Sequence, residues 1–255
     1  MTDPRPVREV TQLQEFLATA HIDEAVAALR PDYRALLIAV DGLVPAGESH
    51  PRGETEQLRA RAEASAADLL AIMPVEDVPH VAAWRDAYRA FGAKPQRTRN
   101  SLEALLRRTG DGLPRVNPLT DTYNAISVLH QVPLGGENLD AYVGAPQLIR
   151  ATGTEAFDTV ADGERVLDHP DAGEVVWCDD AGVTCRRWNW RQGLRTQLTP
   201  QTTAALFILD ALAPMTDQAL TTAGQDLVHH LRRLAPGVRV ATRLVATGTP
   251  RWEHA

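Results

Sequence analysis

A turn signal at residues 179–182 limits the folds that this sequence can adopt. These residues are Asp-Asp-Ala-Gly, and β-prone segments lie on both sides of them, at residues 174–178 and 183–191. A short turn between two such segments predicts a pair of adjacent antiparallel strands. The signal therefore predicts a sheet that contains this hairpin.

The segment that follows the turn predicts one polar face and one aromatic face, because side chains alternate along an extended strand. The polar face would carry Arg187, Asn189 and Arg191, and the opposite face Trp188, Trp190 and Gln192. Two tryptophans on one face indicate core packing. Arginine and asparagine offer hydrogen bonds to a phosphate, a carboxylate or a carbonyl group. The polar face is therefore either a ligand site or a solvated sheet surface.

Helix and strand signals are interspersed along the rest of the chain without a regular βαβ period. The predicted elements are strands at 34–40, 147–152 and 238–245 and helices at 54–72, 81–91 and 217–234. Asn100, with Glu103 three residues later, matches a capping box at the start of a further helix. Residues 203–212 form an apolar run that fits a helix or a strand, and Gly135-Gly136 indicates a turn. This mixture favours an α+β fold.

Another helix is predicted to begin at Asn117-Pro118, with proline at the first helical position. On it, Asp121 and Asn124 lie three residues apart and share a face. Such a pair could bind an amine and a carbonyl group, and Asp121 could act as a general base on a water molecule within hydrogen-bond reach. Alternatively, Asp121 caps the helix or pairs with an arginine.

The charge distribution is uneven. The net charge is −7, which by itself argues against a nucleic-acid partner. Residues 90–115, however, contain six basic residues against two acidic ones, and residues 185–195 contain four arginines and no acidic residue. These clusters are either an electrostatic footprint for RNA or solvated surface.

Several function classes are not expected. No apolar run reaches the ~18–20 residues that a membrane helix needs, and the first residues contain no apolar leader. We therefore expect a cytoplasmic protein. Cys178 and Cys185 are the only cysteines; we expect reduced thiols unless the strand register places them opposite each other. No metal site and no cofactor are predicted.

The order and spacing of several motifs resemble the B3/B4 domain of the bacterial phenylalanyl-tRNA synthetase β subunit, and most closely its freestanding relatives. The motifs are residues 91–95, 99–108, 113–124, 133–140 and 187–192. The resemblance covers about residues 33–245 and is strongest over 94–202. It implies a helical N-terminal extension (1–30) and one B3/B4-like domain (31–248). The implied fold is a three-layer α+β sandwich with a barrel-like mixed sheet and flanking helices.

The resemblance also implies a site. In the synthetase, this domain hydrolyses tyrosine wrongly attached to the phenylalanine tRNA, in a pocket formed by regions that resemble residues 117–124 and 187–196. The implied catalytic residues are Asp121, Asn189 and Arg191, and the implied substrate-binding residues are Asn117, Asn124, Gln192 and Gly135. The charge clusters add RNA-binding candidates, namely Lys94, Arg97, Arg99, Arg107, Arg108 and Arg187.

Two departures separate this sequence from the synthetase pattern. Gly135 stands where that pattern has a histidine, and residues 191–194 replace a Gly-Gly-Glu whose glutamate recognises the tyrosine hydroxyl. Tyrosine specificity is therefore not expected, and neither is tRNA charging. The resemblance favours a trans-acting aminoacyl-tRNA deacylase with charged tRNA as partner; no protein partner is indicated. The alternatives are a non-catalytic module that binds tRNA, another RNA or an amino acid, and a small-molecule enzyme on the same fold.

Overall fold

Residues 5–45 and 52–248 are described by a computed structural model of the chain. Its helices are α1 (Val10–Thr19), α2 (Glu24–Leu29), α3 (Arg52–Leu70), α4 (Pro79–Ala90), α5 (Ser101–Leu106), α6 (Pro118–Leu129) and α7 (Asp217–Leu234). Its strands are β1 (His21–Ile22), β2 (Arg34–Asp41), β3 (Leu134–Asn138), β4 (Gln147–Arg150), β5 (Phe157–Ala161), β6 (Glu164–Asp168), β7 (Val175–Asp179), β8 (Gly182–Arg186), β9 (Arg191–Gln192), β10 (Ala204–Ala211) and β11 (Arg239–Ala246). The interspersed helices and strands confirm the α+β class.

A four-stranded antiparallel sheet, in the order β11-β2-β10-β3, lies at the centre of the fold. Strand β2 is buried on both faces. Leu36 and Ile38 pack with residues of α3, α6 and α7, whereas Leu37 and Ala39 pack with residues of α1, α4 and β7. Because successive side chains point to opposite faces, a strand covered on both sides requires the continuous apolar run predicted here.

The second sheet has five strands in the order β1-β4-β7-β8-β9, and β5 and β6 form a separate two-stranded ribbon. The predicted hairpin is confirmed, since β7 and β8 pair antiparallel with Asp179 opposite Gly182. Cys185 is opposite Trp177, and Cys178 is opposite Val183. The two cysteines are therefore out of register with each other and remain free thiols.

The predicted barrel-like sheet is wrong for the part of the chain that the structure describes. Both large sheets are open there, with β11 and β3 at the edges of one and β1 and β9 at the edges of the other. Strands β1 and β9 are only two residues long, too short to continue a hydrogen-bond ladder around a closed barrel. Helices α3, α6 and α7, the central sheet, and the second sheet with α1 and α4 instead form three stacked layers.

The segment predicted as an N-terminal extension packs on the same core. In α1, Leu13 and Leu17 are fully buried beside the inner face of the central sheet. Arg5 and Arg8 hold the buried carboxylate of Asp41 at 2.9 and 3.0 Å. Residues 1–4 of this extension and residues 46–51 of the predicted domain lie outside the described ranges.

Candidate functional site

A cavity of about 260 Å³ lies between the two sheets, near the lower end of the range for small-molecule sites. Strands β3 and β10 form its floor, α5 and α6 form one side, and the turn after β8 forms another. Apolar and aromatic side chains line most of it, including Leu105, Tyr123, Trp177, Trp188 and Ile208. Such a lining favours a ligand with an apolar body.

The turn after β8 differs from the predicted extended strand, so the predicted alternation of residues 187–192 is wrong. Arg187 and Trp188 have φ angles of +48° and +68°, which reverse the chain direction. Trp188 is fully buried and packs edge-on against Tyr33 and Trp84, with ring centroids 5.0 and 5.2 Å away. This aromatic packing offsets the cost of the left-handed backbone conformation. As a result, Asn189 faces the cavity.

Both ends of the Asn189 side chain are held by the protein. Its Oδ1 accepts a hydrogen bond from the Tyr88 hydroxyl at 2.9 Å, and its Nδ2 donates to Asp210 Oδ2 at 3.3 Å. The Tyr33 hydroxyl donates to the other oxygen of Asp210. Since an amide nitrogen carries two hydrogens, Asn189 retains one donor for a ligand in a fixed orientation.

Two other predicted residues place amide groups at the cavity. Asn124 on α6 is 9% exposed, and its side chain has no hydrogen-bond partner among the described residues. A buried amide without a protein partner is costly unless a ligand or water binds it. Gln192 donates from Nε2 to the Gly136 carbonyl oxygen at 2.8 Å. A Cβ atom at Gly135 would lie 3.2 Å from this same nitrogen, so a side chain there would displace Gln192.

The predicted turn at Gly135-Gly136 is wrong, because both residues belong to β3. Packing explains the glycine at position 136, because a Cβ atom there would lie 2.8 Å from Leu198 Cδ1 and 2.9 Å from Phe207 Cε1. Pairing with β10 extends the segment and places Glu137 in the cavity wall.

Two buried carboxyl groups therefore line the cavity, Glu137 and Asp210, with 1% and 2% exposure. Burial raises the pKa of Glu137 to about 7, against the opposing effect of the Tyr142 and Thr184 hydroxyls. Burial likewise raises the pKa of Asp210 to about 7. Desolvation favours the neutral form of each acid.

Three predicted pocket residues lie elsewhere. Asn117 caps α6, with its Oδ1 accepting from the Thr120 N–H at 2.9 Å. Asp121 accepts from the Val116 N–H at 2.8 Å, and burial raises its pKa. Arg191 is exposed and stacks over the Trp190 ring, 5.0 Å from the centroid. Their predicted roles stay predictions.

The basic candidates separate into two groups. Lys94 and Arg97 line a second, polar cavity of about 280 Å³. Arg187 also lines it and pairs there with Asp171 and Glu174, at 3.5 and 3.3 Å. Arg187 also stacks over Trp190, with its guanidinium 4.7 Å from the ring centroid, and Trp190 lines the first cavity. The two cavities are therefore adjacent.

The remaining basic candidates surround α5. Arg99 and Arg107 pair with the fully buried Glu103, at 3.8 and 3.0 Å. Arg108 is exposed at the rim of the first cavity. Arg108 is thus the member of this group closest to a ligand in that cavity.

Comparison with known proteins identifies the family. A sequence model of the B3/4 domain matches residues 83–230, which is more than half of the chain. The chain belongs to the B3/4 domain family. The match includes β3, α6, the turn after β8 and β10, which together form the cavity.

One solved structure similar to this B3/4 protein is that of an N-terminal fragment of the phenylalanyl-tRNA synthetase β-subunit from Pyrococcus horikoshii. It is 13% identical in sequence, with a TM-score of 0.44. The alignment covers 87% of this chain and 50% of the other, so the chain spans about half of that fragment. No curated protein sequence matches.

Two negative observations apply to the described part of this B3/4 protein. Residues 5–45 and 52–248 contain no helix long and apolar enough to cross a membrane. Within the same ranges, no group of three or more histidine, cysteine, aspartate or glutamate residues is arranged to hold a metal ion.

The predicted site residues do not include Tyr88, which holds Asn189, or the two buried acids of the cavity, Glu137 and Asp210. The sequence does contain an indication of Asp210, since it is the only charged residue in the apolar run 203–212. That run is strand β10, and a lone acid on a fully buried strand marks a polar site. Tyr88 and Glu137 had no comparable local signal.

Proposed function

We propose that this B3/4 protein hydrolyses the ester bond of an aminoacyl-tRNA in trans. The aminoacyl group would occupy the first cavity, and the phosphates near the 3′ end of the tRNA would lie along the second. Cytoplasmic charged tRNA would be the substrate. The synthetase-type tyrosine specificity is not part of this proposal.

The observation that carries the proposal is the adjacency of these two chemically different cavities. One is apolar with amide groups in its wall. The other is lined by Lys94 and Arg97, beside an Arg187 that pairs with the carboxylates of Asp171 and Glu174. Lys94 and Arg97 are exposed and have no carboxylate partner within the described ranges. An aminoacyl-tRNA end has the matching chemistry, because an amino acid is joined there to a polyanion.

The hydrolysis requires positioning more than strong activation, since the ester is already reactive. A water molecule attacks the ester carbonyl carbon, the bond to the ribose oxygen breaks, and that oxygen takes up the proton released by the water. The fixed N–H groups of Asn189 and Gln192 would stabilise the oxyanion that forms in between. The neighbouring ribose hydroxyl would help to transfer the proton.

The test is deacylation of a panel of correctly and incorrectly charged tRNAs by the pure protein. We expect one aminoacyl class to be hydrolysed by the wild type. In Asn124→Ala the rate should fall at least tenfold, because the variant loses an amide that would bind the ligand. The fold should be kept, because this amide has no hydrogen-bond partner in the described protein. Gln201→Ala, which removes an exposed amide, should retain the wild-type rate. Failure to hydrolyse any charged tRNA faster than the buffer would overturn the proposal.

A binding module without turnover is the second candidate. The observation in its favour is that Asp121, the predicted general base, does not line the cavity. Under this alternative, charged tRNA would bind with strong salt dependence while its ester stays intact.

A further inference from the structure

Glu137 is a buried acid without a counter-ion. It lies in β3, is 1% exposed and lines the first cavity. No lysine, arginine or histidine is within ion-pair distance of it in the described ranges. Arg195 influences its pKa but pairs with Asp179, at 2.7 and 2.9 Å. Glu137 accepts a hydrogen bond from the Tyr142 hydroxyl, and the nearby Thr184 hydroxyl also lowers its pKa.

A buried carboxyl group without a counter-ion lowers the stability of the ligand-free protein. A buried carboxylate is normally paired with a cation or surrounded by several hydrogen-bond donors, because ionisation in an apolar environment is unfavourable. Arg108, a charged residue of the cavity lining, is exposed at the rim. A ligand that brings a cation into the cavity would supply the missing partner.

Asp210, the other cavity acid, has a different environment. Both of its oxygens accept hydrogen bonds, from Tyr33 and Asn189. Glu137 is opposite Leu206 in the β3–β10 ladder, so Asp210 lies four residues further along β10. At 3.3 Å per residue this places the two acids about 13 Å apart along the strand direction. Asp210 thus holds Asn189 at one end of the cavity floor. Glu137 lies at the other end and holds no cavity side chain in place.

We propose that Glu137 binds a primary ammonium group of the ligand. This inference rests on the proposed function. It makes the substrate an aminoacyl ester with a free amino group. The apolar and aromatic walls would contact the body of the amino acid. Esters whose ammonium group is blocked would be excluded, since Glu137 would then be buried without a partner.

The experiment measures binding and needs neither tRNA nor turnover. Methyl esters of the common amino acids, each with and without an Nα-acetyl group, are titrated into the wild-type protein by calorimetry. We expect at least one free ester to bind and its acetylated form to bind about thirtyfold more weakly or not at all. If a lysine ester binds equally well after Nα-acetylation, the ammonium group in contact with Glu137 is that of the side chain.

The variant pair is Glu137→Gln and Glu164→Gln. The first keeps the shape of the side chain and removes its charge, so the free ester should bind about thirtyfold more weakly, while the variant melts at or above the wild-type temperature. Glu164 is exposed on β6, and its replacement should leave binding unchanged. Three results would overturn the inference: equal binding of the free and Nα-acetylated esters of an amino acid other than lysine, unchanged binding in Glu137→Gln, or no binding by any ester. Ester binding through Glu137 without tRNA deacylation would instead overturn only the proposed function.

Discussion

Asn189 and Asp210 are joined by a buried hydrogen bond, with 3.3 Å between the amide nitrogen and a carboxylate oxygen. Tyr88 holds the other end of the same amide at 2.9 Å. The orientation of Asn189 therefore depends on two residues from elements far apart in the chain, α4 and β10. A group fixed from both sides is prepared to stabilise a transition state without reorganising.

The first prediction concerns the coupling of Tyr88 to Asn189. Tyr88→Phe should lower the free energy of unfolding by about 1 kcal/mol, since it removes one buried hydrogen bond. In a double-mutant cycle with Asn189→Ala, measured by urea unfolding, the two effects should be non-additive by roughly 1 kcal/mol. The deacylation rate should also fall in Tyr88→Phe. Strict additivity would show that the hydrogen bond has no energetic role.

The second prediction separates two asparagines of α6. Asn117→Ala removes the N-cap and should lower the free energy of unfolding by about 1 kcal/mol. Asn124→Ala should change it by less than about 0.5 kcal/mol, because Asn124 has no side-chain partner in the described protein. Urea unfolding of both variants measures this difference. A larger loss in Asn124→Ala than in Asn117→Ala would contradict the assignment of Asn124 to ligand binding.

The third prediction concerns the pH dependence of stability. The pKa of Glu137 is raised from 4.5 to about 7 in the folded protein. Below the lower value the group is protonated in both states and has no effect. As pH rises from there towards 7, the unfolded chain releases the proton first, so the folded state loses stability, by on the order of 3 kcal/mol in total.

Glu137→Gln should abolish this contribution. The variant should match the wild type below about pH 4.5 and exceed it at about pH 8, where the full difference is reached. Thermal melts across this pH range provide the measurement. Asp210 contributes in the same direction in both proteins, so the comparison isolates Glu137. Parallel profiles for the two proteins would show that the pKa of Glu137 is unshifted.

The fourth prediction uses the adjacent glycines of β3. Gly136→Ala should destabilise the protein by about 1–3 kcal/mol, because its Cβ atom would overlap Phe207 and Leu198 in the core. In Gly135→Ala the new Cβ atom would contact only Gln192, so the variant should mainly reduce the deacylation rate. Melting temperatures and rates for both variants would show the contrast, and a stability loss of equal size in both would contradict it.

The fifth prediction addresses the second cavity. Lys94→Ala and Arg97→Ala should each weaken tRNA binding and reduce the slope of log affinity against log salt by about 1, if each contacts one phosphate. Arg232→Ala, at an exposed position on α7, serves as the control for a general loss of positive charge. Equal effects of all three variants would indicate binding by net charge instead of a defined site.

Local signals predicted most of the elements. The Asn100 cap accepts from the Glu103 N–H at 2.9 Å as expected, but the Glu103 carboxylate pairs with Arg85 and Arg107 and does not complete the predicted capping box. The helix after Asn117-Pro118 begins at Pro118. The strand at 34–40 and the hairpin also follow from short-range patterns. These features depend on a few neighbouring residues, which is the information that a sequence displays directly.

The parts that could not be predicted depend on contacts between distant residues. Glycines 135 and 136 indicate a turn by composition, and only pairing with β10 makes them a strand. The reversal at Arg187 and Trp188 is stabilised by Tyr33 and Trp84, which lie more than 100 positions earlier. The placement of Glu137 in the cavity wall follows from the same pairing of β3 with β10.

The packing of tryptophans around the first cavity has a spectroscopic consequence. Three of the five tryptophans of the chain, Trp177, Trp188 and Trp190, line that cavity. A molecule that enters it must change the polarity next to these indole rings. Intrinsic fluorescence should therefore report occupancy without any label, and stopped-flow emission would resolve ligand entry before the ester is cleaved.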